Sequence, residues 1–328
     1  MVGSGTTSPK TSAMAQTVAI VGAGVSGLTC AVAFAERGYR TSIFAAESGP
    51  RITSAAAGAV WFPYDAEPAD AVIAWSLETF DILRELSGTP GSGVSMLELR
   101  SFARAGELEI PAWAFSLGAR RLAPALLPAC FTSGYTLVVP LTDTTIYLDY
   151  LAARFRRAGG EIQVGVRLAH LDEVNGDCSL LVNCTGVGAK ALVPDPEVEP
   201  HRGQVAIVPK TPQGHAVVCD DPPLMYAIPR TNDCVFGGTN ELSADLGPDP
   251  GTTARIIAEC SRVLEIEPPK VLRECVGLRP FRRIGICLRA DQLRDGRRVI
   301  HNYGHGGSGF TLSWGCAHAV LALAETAR

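Results

Sequence analysis

A short run of glycines near the start of the chain limits most strongly what it can fold into. Residues 17–45 predict a buried apolar strand, a glycine turn, an amphipathic helix ending at Gly38 and a second apolar strand. Gly22, Gly24 and Gly27 form G-x-G-x-x-G between the strand and the helix. In that context the backbone can turn tightly and approach a pyrophosphate, and the helix N-terminus offers partial positive charge. We therefore predict a β-α-β unit that binds a dinucleotide, and the motif alone leaves NAD and FAD open.

The end of the second strand departs from the usual pattern of such units. An Asp or Glu that holds the adenosine ribose is expected there, but the strand ends at Ala45 and Ala46, and Glu47 comes slightly late. This departure weakens NAD more than FAD, because FAD makes many further contacts that can compensate. Glu47 or a backbone contact is the expected substitute.

Length and charge indicate a two-domain protein that acts on a small molecule. The 328 residues are too many for one simple core, and 47% of them are apolar. A net charge of -4 gives no field that would gather nucleic acid or anionic lipid. No apolar run reaches the ~18 to 20 residues of a membrane span, and the first sixteen residues lack the apolar core of a secretion signal. We expect a cytoplasmic protein.

The remaining pattern predicts an α/β fold in two discontinuous parts. A Rossmann-like nucleotide-binding domain is expected from residues 17–60, 143–196 and 295–328, after a flexible lead-in at 1–16. An inserted α+β domain with a mixed sheet is expected from residues 61–142 and 197–294 and should bind the substrate. Strands predicted at 203–209, 233–239 and 284–290 lack the βαβ rhythm and are assigned to this second sheet. Helices are predicted around Ala69 to Leu86 and from about Phe310 to Thr326.

Ten cysteines are scattered along the chain without a C-x-x-C pair. Zinc-ribbon and thioredoxin sites are therefore excluded, and most of the cysteines should be small buried hydrophobic residues in a reducing compartment. If one pair forms a disulfide, Cys234 and Cys287 are the candidates, because both fall in strand-like segments.

Six segments in sequence order connect the chain with a known family. They are AGAVWFPY at 57–64, VNCTGVGA at 182–189, RGQ at 202–204, MYAIPR at 225–230, GLRP at 277–280 and VIHNYGHGGSGFTLSWGCA at 299–317. Together they resemble the D-amino acid oxidase family of FAD-dependent enzymes, and the resemblance extends from Thr17 to Ala327. It favours FAD over NAD as the cofactor and implies a Rossmann-like FAD-binding domain beside the substrate-binding domain.

The resemblance implies an oxidase that deaminates mostly neutral D-amino acids. Hydride passes from the substrate Cα to flavin N5, and O2 reoxidises the flavin, which yields a 2-oxo acid, ammonia and H2O2. Arg279 is the expected clamp for the substrate carboxylate, because a guanidinium offers two parallel donors. Tyr226 should add a hydroxyl contact to that carboxylate, and Gly307 should offer its carbonyl to the substrate amine. A D-aspartate or glycine oxidase, an NAD-dependent dehydrogenase and a silent flavin-binding scaffold remain alternatives, and a homodimer is expected.

The resemblance also assigns FAD contacts by position. They are Ala23, Gly24, Val25 and Ser26 at the pyrophosphate turn; Ala45 and Ala46 at the ribose; Thr53, Ala57 and Gly58 along the phosphate and ring edge; Val166 on the adenine side; Cys184 and Gly186 in the second glycine turn; and Arg279, Gly306, Gly307, Ser308, Gly309 and Thr311 at the ring. The N-H groups around residues 309–311 should point the positive end of the last helix at the flavin edge that becomes negative on reduction. His301 and His305 are expected to hold the loop's shape.

The pocket for the substrate side chain is expected to be apolar on balance. Candidate lining residues are Trp61, Phe62, Leu224 and Met225. Asp220 and Asp221 precede Tyr226, and their carboxylates should disfavour an acidic substrate side chain. Pro222 and Pro223 stand where relatives often carry a lid tyrosine, so substrate entry and product release need not follow the family pattern.

Overall fold

The computed structural model describes residues 16–63, 66–174 and 177–326, so the lead-in predicted for 1–16 lies almost wholly outside the described residues. Within them the chain forms strands and helices in a mixed order. The strands are β1 (Thr17–Val21), β2 (Arg40–Ala45), β3 (Val94–Ala103), β4 (Arg120–Arg121), β5 (Ser133–Thr142), β6 (Glu161–Val164), β7 (Leu180–Asn183), β8 (Val198–Pro209), β9 (His215–Cys219), β10 (Met225–Pro229), β11 (Asp233–Gly237), β12 (Glu241–Leu242), β13 (Arg273–Arg282), β14 (Cys287–Gln292) and β15 (Arg298–Tyr303). The α-helices are α1 (Val25–Glu36), α2 (Ala69–Leu86), α3 (Ala112–Ser116), α4 (Thr144–Arg157), α5 (Ala189–Leu192), α6 (Pro250–Leu264) and α7 (Gly309–Thr326).

The first sheet has the order β14-β15-β7-β1-β2-β6. All its pairs are parallel except β14 with β15. Strands β1 and β7 are almost wholly buried and apolar, as expected for a parallel sheet covered on both faces. Because β1 lies between β2 and β7, the carboxyl ends of these three strands meet at one edge, where doubly wound folds bind dinucleotides.

The second sheet has nine strands and mixed pairing. Its main path runs β12-β8-β11-β10-β9-β3-β5-β4, and β13 pairs antiparallel with β8 over its whole length. Strand β3 pairs parallel with β9 and antiparallel with β5, so the sheet is mixed as predicted. One face packs against α6, where Cys219, Met225 and Cys260 share a buried apolar cluster. The other face is turned towards the cavity described below.

A strand is present near the predicted residues 284–290, but the prediction that it belongs to the second sheet is wrong. The observed strand β14 pairs with β15 in the first sheet, so the chain returns to that sheet before residue 295. Strand β14 is an antiparallel edge strand joined to β15 by a short connection, so no helix stands between them. The missing βαβ rhythm therefore favoured the second sheet in the sequence analysis. The division into domains at the predicted boundaries stays a prediction.

The apolar helices α1 and α7 lie side by side on the first sheet. Helix α7 has no charged residue between Gly309 and Ala324, as suits a helix covered on most sides. The hydroxyl of Thr29 on α1 donates to the Ser313 carbonyl on α7 over 3.1 Å. Helix α2 spans the predicted residues 69–86, and α7 begins one residue earlier than predicted.

The candidate pair Cys234 and Cys287 does not form a disulfide. All ten cysteines lie in the described residues as free thiols. Cys234 belongs to β11 in the second sheet and Cys287 to β14 in the first. That both cysteines lie in strands therefore did not bring them together. In the described parts of the chain, no helix combines the length and the apolar character needed to cross a bilayer.

Candidate active site

A cavity of about 550 Å³ runs from the carboxyl edge of the first sheet to the face of the second. Gly22, Ala45 and Cys184 line it from the first sheet, and Tyr226 and Arg279 line it from the second. The two sheets therefore enclose one site. The glycine turns of the first sheet lie at one end of it, and the Arg279 guanidinium lies at the other.

The glycine turn after β1 forms one wall of this cavity. Gly22 has φ +111°, and a Cβ there would lie 2.4 Å from the Cys184 carbonyl oxygen, so a side chain would separate the two turns. Gly24 is the residue before α1 and provides no side-chain cap, and Ser54 Oγ accepts from the Val25 N-H over 3.0 Å. Ser26, in the first turn of the helix, lines the cavity, where the helix N-terminus favours an anion.

The part of the cavity just beyond the end of β2 contains a carboxylate that pairs with two arginines. Glu47 lines the cavity just after Ala45 and Ala46, and it pairs with Arg51 at 2.6 Å and Arg167 at 2.7 Å. The acidic group missing from the strand end is therefore present two residues after β2, held by two arginines. Val166 lies beside it, but its N-H already donates to the Ala45 carbonyl over 3.0 Å.

The second glycine turn follows β7 directly. The Asn183 side-chain oxygen accepts from the Thr185 N-H over 3.2 Å and from its hydroxyl over 2.7 Å, which shapes the turn into Gly186. Across the cavity, the Thr53 hydroxyl donates to the Leu278 carbonyl over 3.1 Å. This contact joins the short 3-10 helix at residues 53–56 to β13, next to Arg279.

The loop between β15 and α7 reaches the cavity through its glycines. Gly307 is exposed to the cavity, and the Gly306 N-H donates to the Pro280 carbonyl over 2.9 Å, so the loop is fixed one residue from Arg279. The Thr311 hydroxyl accepts from the Phe62 N-H over 3.1 Å and donates to its carbonyl over 3.0 Å. Ser308 is fully buried and does not line the cavity, unlike the glycines on either side of it.

The two histidines of this loop are held in buried networks. His301 Nδ1 lies 3.1 Å from the Asn183 side-chain nitrogen, and His305 Nε2 lies 3.0 Å from the Asn302 side-chain oxygen. Burial lowers the pKa of His301, and it lowers the pKa of His305 to about 4. Both rings are therefore neutral near pH 7, which agrees with a role in holding the loop's shape.

Arg279 and Tyr226 come together on the cavity face of the second sheet. Burial raises the pKa of the Tyr226 phenol, and the charge of Arg279 acts in the opposite direction. The hydroxyl thus stays protonated near pH 7 and can donate to an anion. A Cβ at Gly203 would lie 2.5 Å from Arg279 Nη1, so the guanidinium packs directly on that glycine. The role of Gly203 was missed, although the RGQ segment was a signal for it.

Two of the predicted pocket residues face elsewhere. Trp61 is 1% exposed, donates from Nε1 to the Ser76 carbonyl over 3.0 Å and packs edge-on against Phe80. Met225 is 1% exposed in the cluster under α6, because successive strand residues point to opposite faces. Phe62 and Leu224 do line the cavity, as expected.

The two aspartates of the loop after β9 have different surroundings. Asp220 lines the cavity, whereas Asp221 is not among the lining residues, and its Oδ2 accepts from the Arg104 backbone N-H over 2.7 Å. Only Asp220 of this pair therefore lines the cavity, and the expected selection against acidic substrate side chains stays a prediction.

Most of the predicted site residues share this one cavity. Those that line it are Ala23, Gly24, Val25, Ser26, Ala45, Ala46, Thr53, Ala57, Gly58, Val166, Cys184, Gly186, Tyr226, Arg279, Gly306, Gly307, Gly309 and Thr311. Their roles stay predictions, since lining a cavity does not by itself show a contact with a ligand.

Comparison with known proteins places this architecture in a family. A family model described as FAD-dependent oxidoreductase matches residues 17–323, nearly the whole described chain. The chain belongs to this family of FAD-dependent oxidoreductases. The resemblance noted from the sequence is confirmed, and so is the α/β fold.

Similar members of the family match over almost their full length. The D-amino-acid oxidase of Rubrobacter xylanophilus is 39% identical over 313 residues, which cover 94% of this chain and 95% of that protein. The D-amino-acid oxidase of Streptomyces coelicolor is 40% identical over 319 residues, covering 94% and 96%. The crystal structure of glycine oxidase from Geobacillus kaustophilus has a TM-score of 0.77 at 18% identity, covering 94% of each chain, and at that identity it shows the fold alone.

Proposed function

We propose that this FAD-dependent oxidoreductase is a D-amino acid oxidase that uses FAD and O2. The observation that carries the proposal is the pairing of Arg279 and Tyr226 on one wall of the cavity, beside the exposed backbone of Gly307. A cation and a phenol donor suit a carboxylate, and a backbone carbonyl beside them would suit an amine. The relatives named D-amino-acid oxidase support the same substrate class.

The residues around the nucleotide end fit FAD. The N-terminus of α1, where Gly24 provides no side-chain cap, suits a pyrophosphate, and the missing Cβ of Gly22 lets the two glycine turns lie close together. Ala23, Gly24 and Ser26 would hold the pyrophosphate, and Glu47 would replace the strand-end carboxylate at the ribose. Bound FAD would supply the two-electron acceptor for the Cα-H bond, and O2 would regenerate it.

The chain's own residues would act by binding and orientation. Arg279 would hold the substrate carboxylate through two N-H donors, Tyr226 would donate its hydroxyl, and the Gly307 carbonyl would accept from the neutral amine. Two fixed substituents determine the direction of the Cα hydrogen, so only one enantiomer presents it to the cofactor. Burial lowers the pKa values of His301 and His305, so both rings are neutral near pH 7 and neither serves as a general acid.

Anaerobic mixing of the purified holoprotein with D-alanine and L-alanine tests the proposal. We expect the oxidised flavin absorbance to bleach with D-alanine only and to return on admission of air, with H2O2 formed. Persistence of the oxidised spectrum with both enantiomers would refute the proposal. A colourless protein that regains no flavin when FAD is added would refute the cofactor assignment as well.

Two related activities are separated by the same assay. An enzyme selective for D-aspartate or glycine would reduce its flavin faster with those substrates than with D-alanine. We expect D-alanine to be preferred to D-aspartate, because Asp220 adds negative charge to the cavity. The cytoplasmic location and the homodimer stay predictions, and light scattering on the holoprotein would check the second of these.

A further inference from the structure

The loop between β9 and β10 places one carboxylate in the cavity and turns its neighbour away. Val218 and Tyr226 are paired across these strands, and both line the cavity. Asp220 and Leu224 lie in the loop directly beyond the ends of the two strands. Both line the cavity as well, and Asp220 is exposed to solvent.

This loop is fixed to the rest of the protein by Arg104. Besides its N-H bond to Asp221, the Arg104 guanidinium donates from Nη2 to the Pro223 carbonyl over 2.8 Å and to Glu259 on α6 over 2.7 Å. Its side chain is only 17% exposed, and the guanidinium packs over the Phe131 ring. Arg104 thus holds Asp221 and Pro223 close to α6. Asp220 lies between β9 and these two fixed residues, which keeps it beside the cavity.

Asp220 and Arg279 line the same cavity from separate parts of the second sheet. The guanidinium of Arg279 packs on Gly203 of β8, whereas Asp220 directly follows β9, and β11 and β10 lie between β8 and β9. Three strand spacings amount to about 14 Å, so a substrate whose carboxylate binds Arg279 has room for a long side chain on the Asp220 side.

We infer that Asp220 is a specificity-determining residue that recognises the cationic end of a long D-amino acid side chain, and that Arg104 is the residue that positions it. The inference rests on the proposed function. The substrate carboxylate binds Arg279, the methylene stem packs along Leu224, and the distal guanidinium or ammonium pairs with Asp220. Neutral side chains still enter, but a cation is favoured over a neutral group of the same shape, and an anion is disfavoured.

The test compares substrates that differ in charge and hardly in shape. D-arginine and D-citrulline form one pair, and D-glutamate and D-glutamine form the other. Because Asp220 is exposed, we expect Asp220→Asn to lower the D-arginine to D-citrulline ratio of kcat/KM by about fivefold, which corresponds to about 1 kcal/mol. Asp220→Lys should instead raise the D-glutamate to D-glutamine ratio.

Two further variants separate recognition from positioning. Asp81→Asn removes an equally negative side chain that is 61% exposed on α2, and it should leave every ratio unchanged. Arg104→Met should lower the D-arginine to D-citrulline ratio while D-alanine turnover persists, and Arg104→Lys should restore part of it.

The outcomes distinguish this inference from the function on which it rests. Failure of the parent protein to oxidise D-alanine would overturn the proposed function. Normal D-alanine oxidation, with the D-arginine to D-citrulline ratio unmoved in Asp220→Asn and the D-glutamate ratio unmoved in Asp220→Lys, would overturn the inference alone. An unmoved ratio in Arg104→Met would overturn the positioning role.

Discussion

Arg279 donates from Nη1 to the Thr239 carbonyl oxygen over 2.8 Å, which joins β13 to the chain just after β11. The Thr239 hydroxyl in turn accepts from the Gln204 N-H over 3.0 Å, so the acceptor is itself held in place. A guanidinium has five N-H donors in one plane. A single bond to Thr239 therefore orients that plane and leaves donors for a ligand in the cavity.

Gly203→Ala should impair substrate binding without removing the arginine. The new Cβ would lie 2.5 Å from Arg279 Nη1, so the guanidinium must move off the strand. We expect the KM for D-alanine to rise by about tenfold while FAD stays bound, measured by steady-state kinetics and flavin absorbance. Gly214→Ala is the matched control, because a Cβ there meets no atom within 4 Å. Equal KM values in the two variants would contradict this account of the site.

Arg279→Ala should raise the KM for D-alanine more strongly. Charge-assisted hydrogen bonds contribute about 1.5–3 kcal/mol, so the loss corresponds to about 10- to 100-fold in apparent affinity. Benzoate, a carboxylate without a transferable hydrogen, should lose binding to a similar extent in a flavin difference titration. If benzoate affinity hardly changes, the carboxylate clamp is another residue.

Glu47→Ala should weaken FAD binding and spare the substrate site. The carboxylate lies at the ribose end of the cavity, between Arg51 and Arg167, and its loss leaves two cations unpaired there. We expect the FAD dissociation constant to rise by about tenfold, since a hydrogen bond to a charged group contributes about 1.5 kcal/mol or more. Fluorescence titration of the apoprotein with FAD measures it. The KM for D-alanine at saturating FAD should stay within twofold of the parent value, and a large change would place Glu47 in another role.

His305→Gln should reduce the dependence of stability on acid pH. Burial lowers the pKa of His305 from 6.5 to about 4, so the unfolded chain binds more protons than the folded chain between these values. Stability is therefore lost as the pH falls through this window, by about 2 kcal/mol between pH 7 and pH 5 from this one residue. Urea unfolding of the holoprotein at both pH values should show a smaller difference in the variant. His170→Gln, at an exposed histidine, should keep the parent difference.

The parts of the site that depend on local sequence were predicted well. The turn around Gly22 and Gly24 follows from glycines between a buried strand and a helix, and α2 follows from helical periodicity. Asp220 and Asp221 looked equivalent because they are adjacent and both acidic. The loop after β9 places only Asp220 in the cavity, and Asp221 accepts from the Arg104 backbone N-H instead.

By itself the sequence determined the nucleotide-binding unit, the family and most residues of the cavity, because each depends on short segments with fixed spacing. Only the tertiary structure decided which sheet received β14, that Cys234 and Cys287 stay apart, and that Trp61 and Met225 are core residues. It also revealed Gly203 as the surface on which Arg279 packs. These features depend on which strands become neighbours, and that is settled by long-range packing over the whole chain.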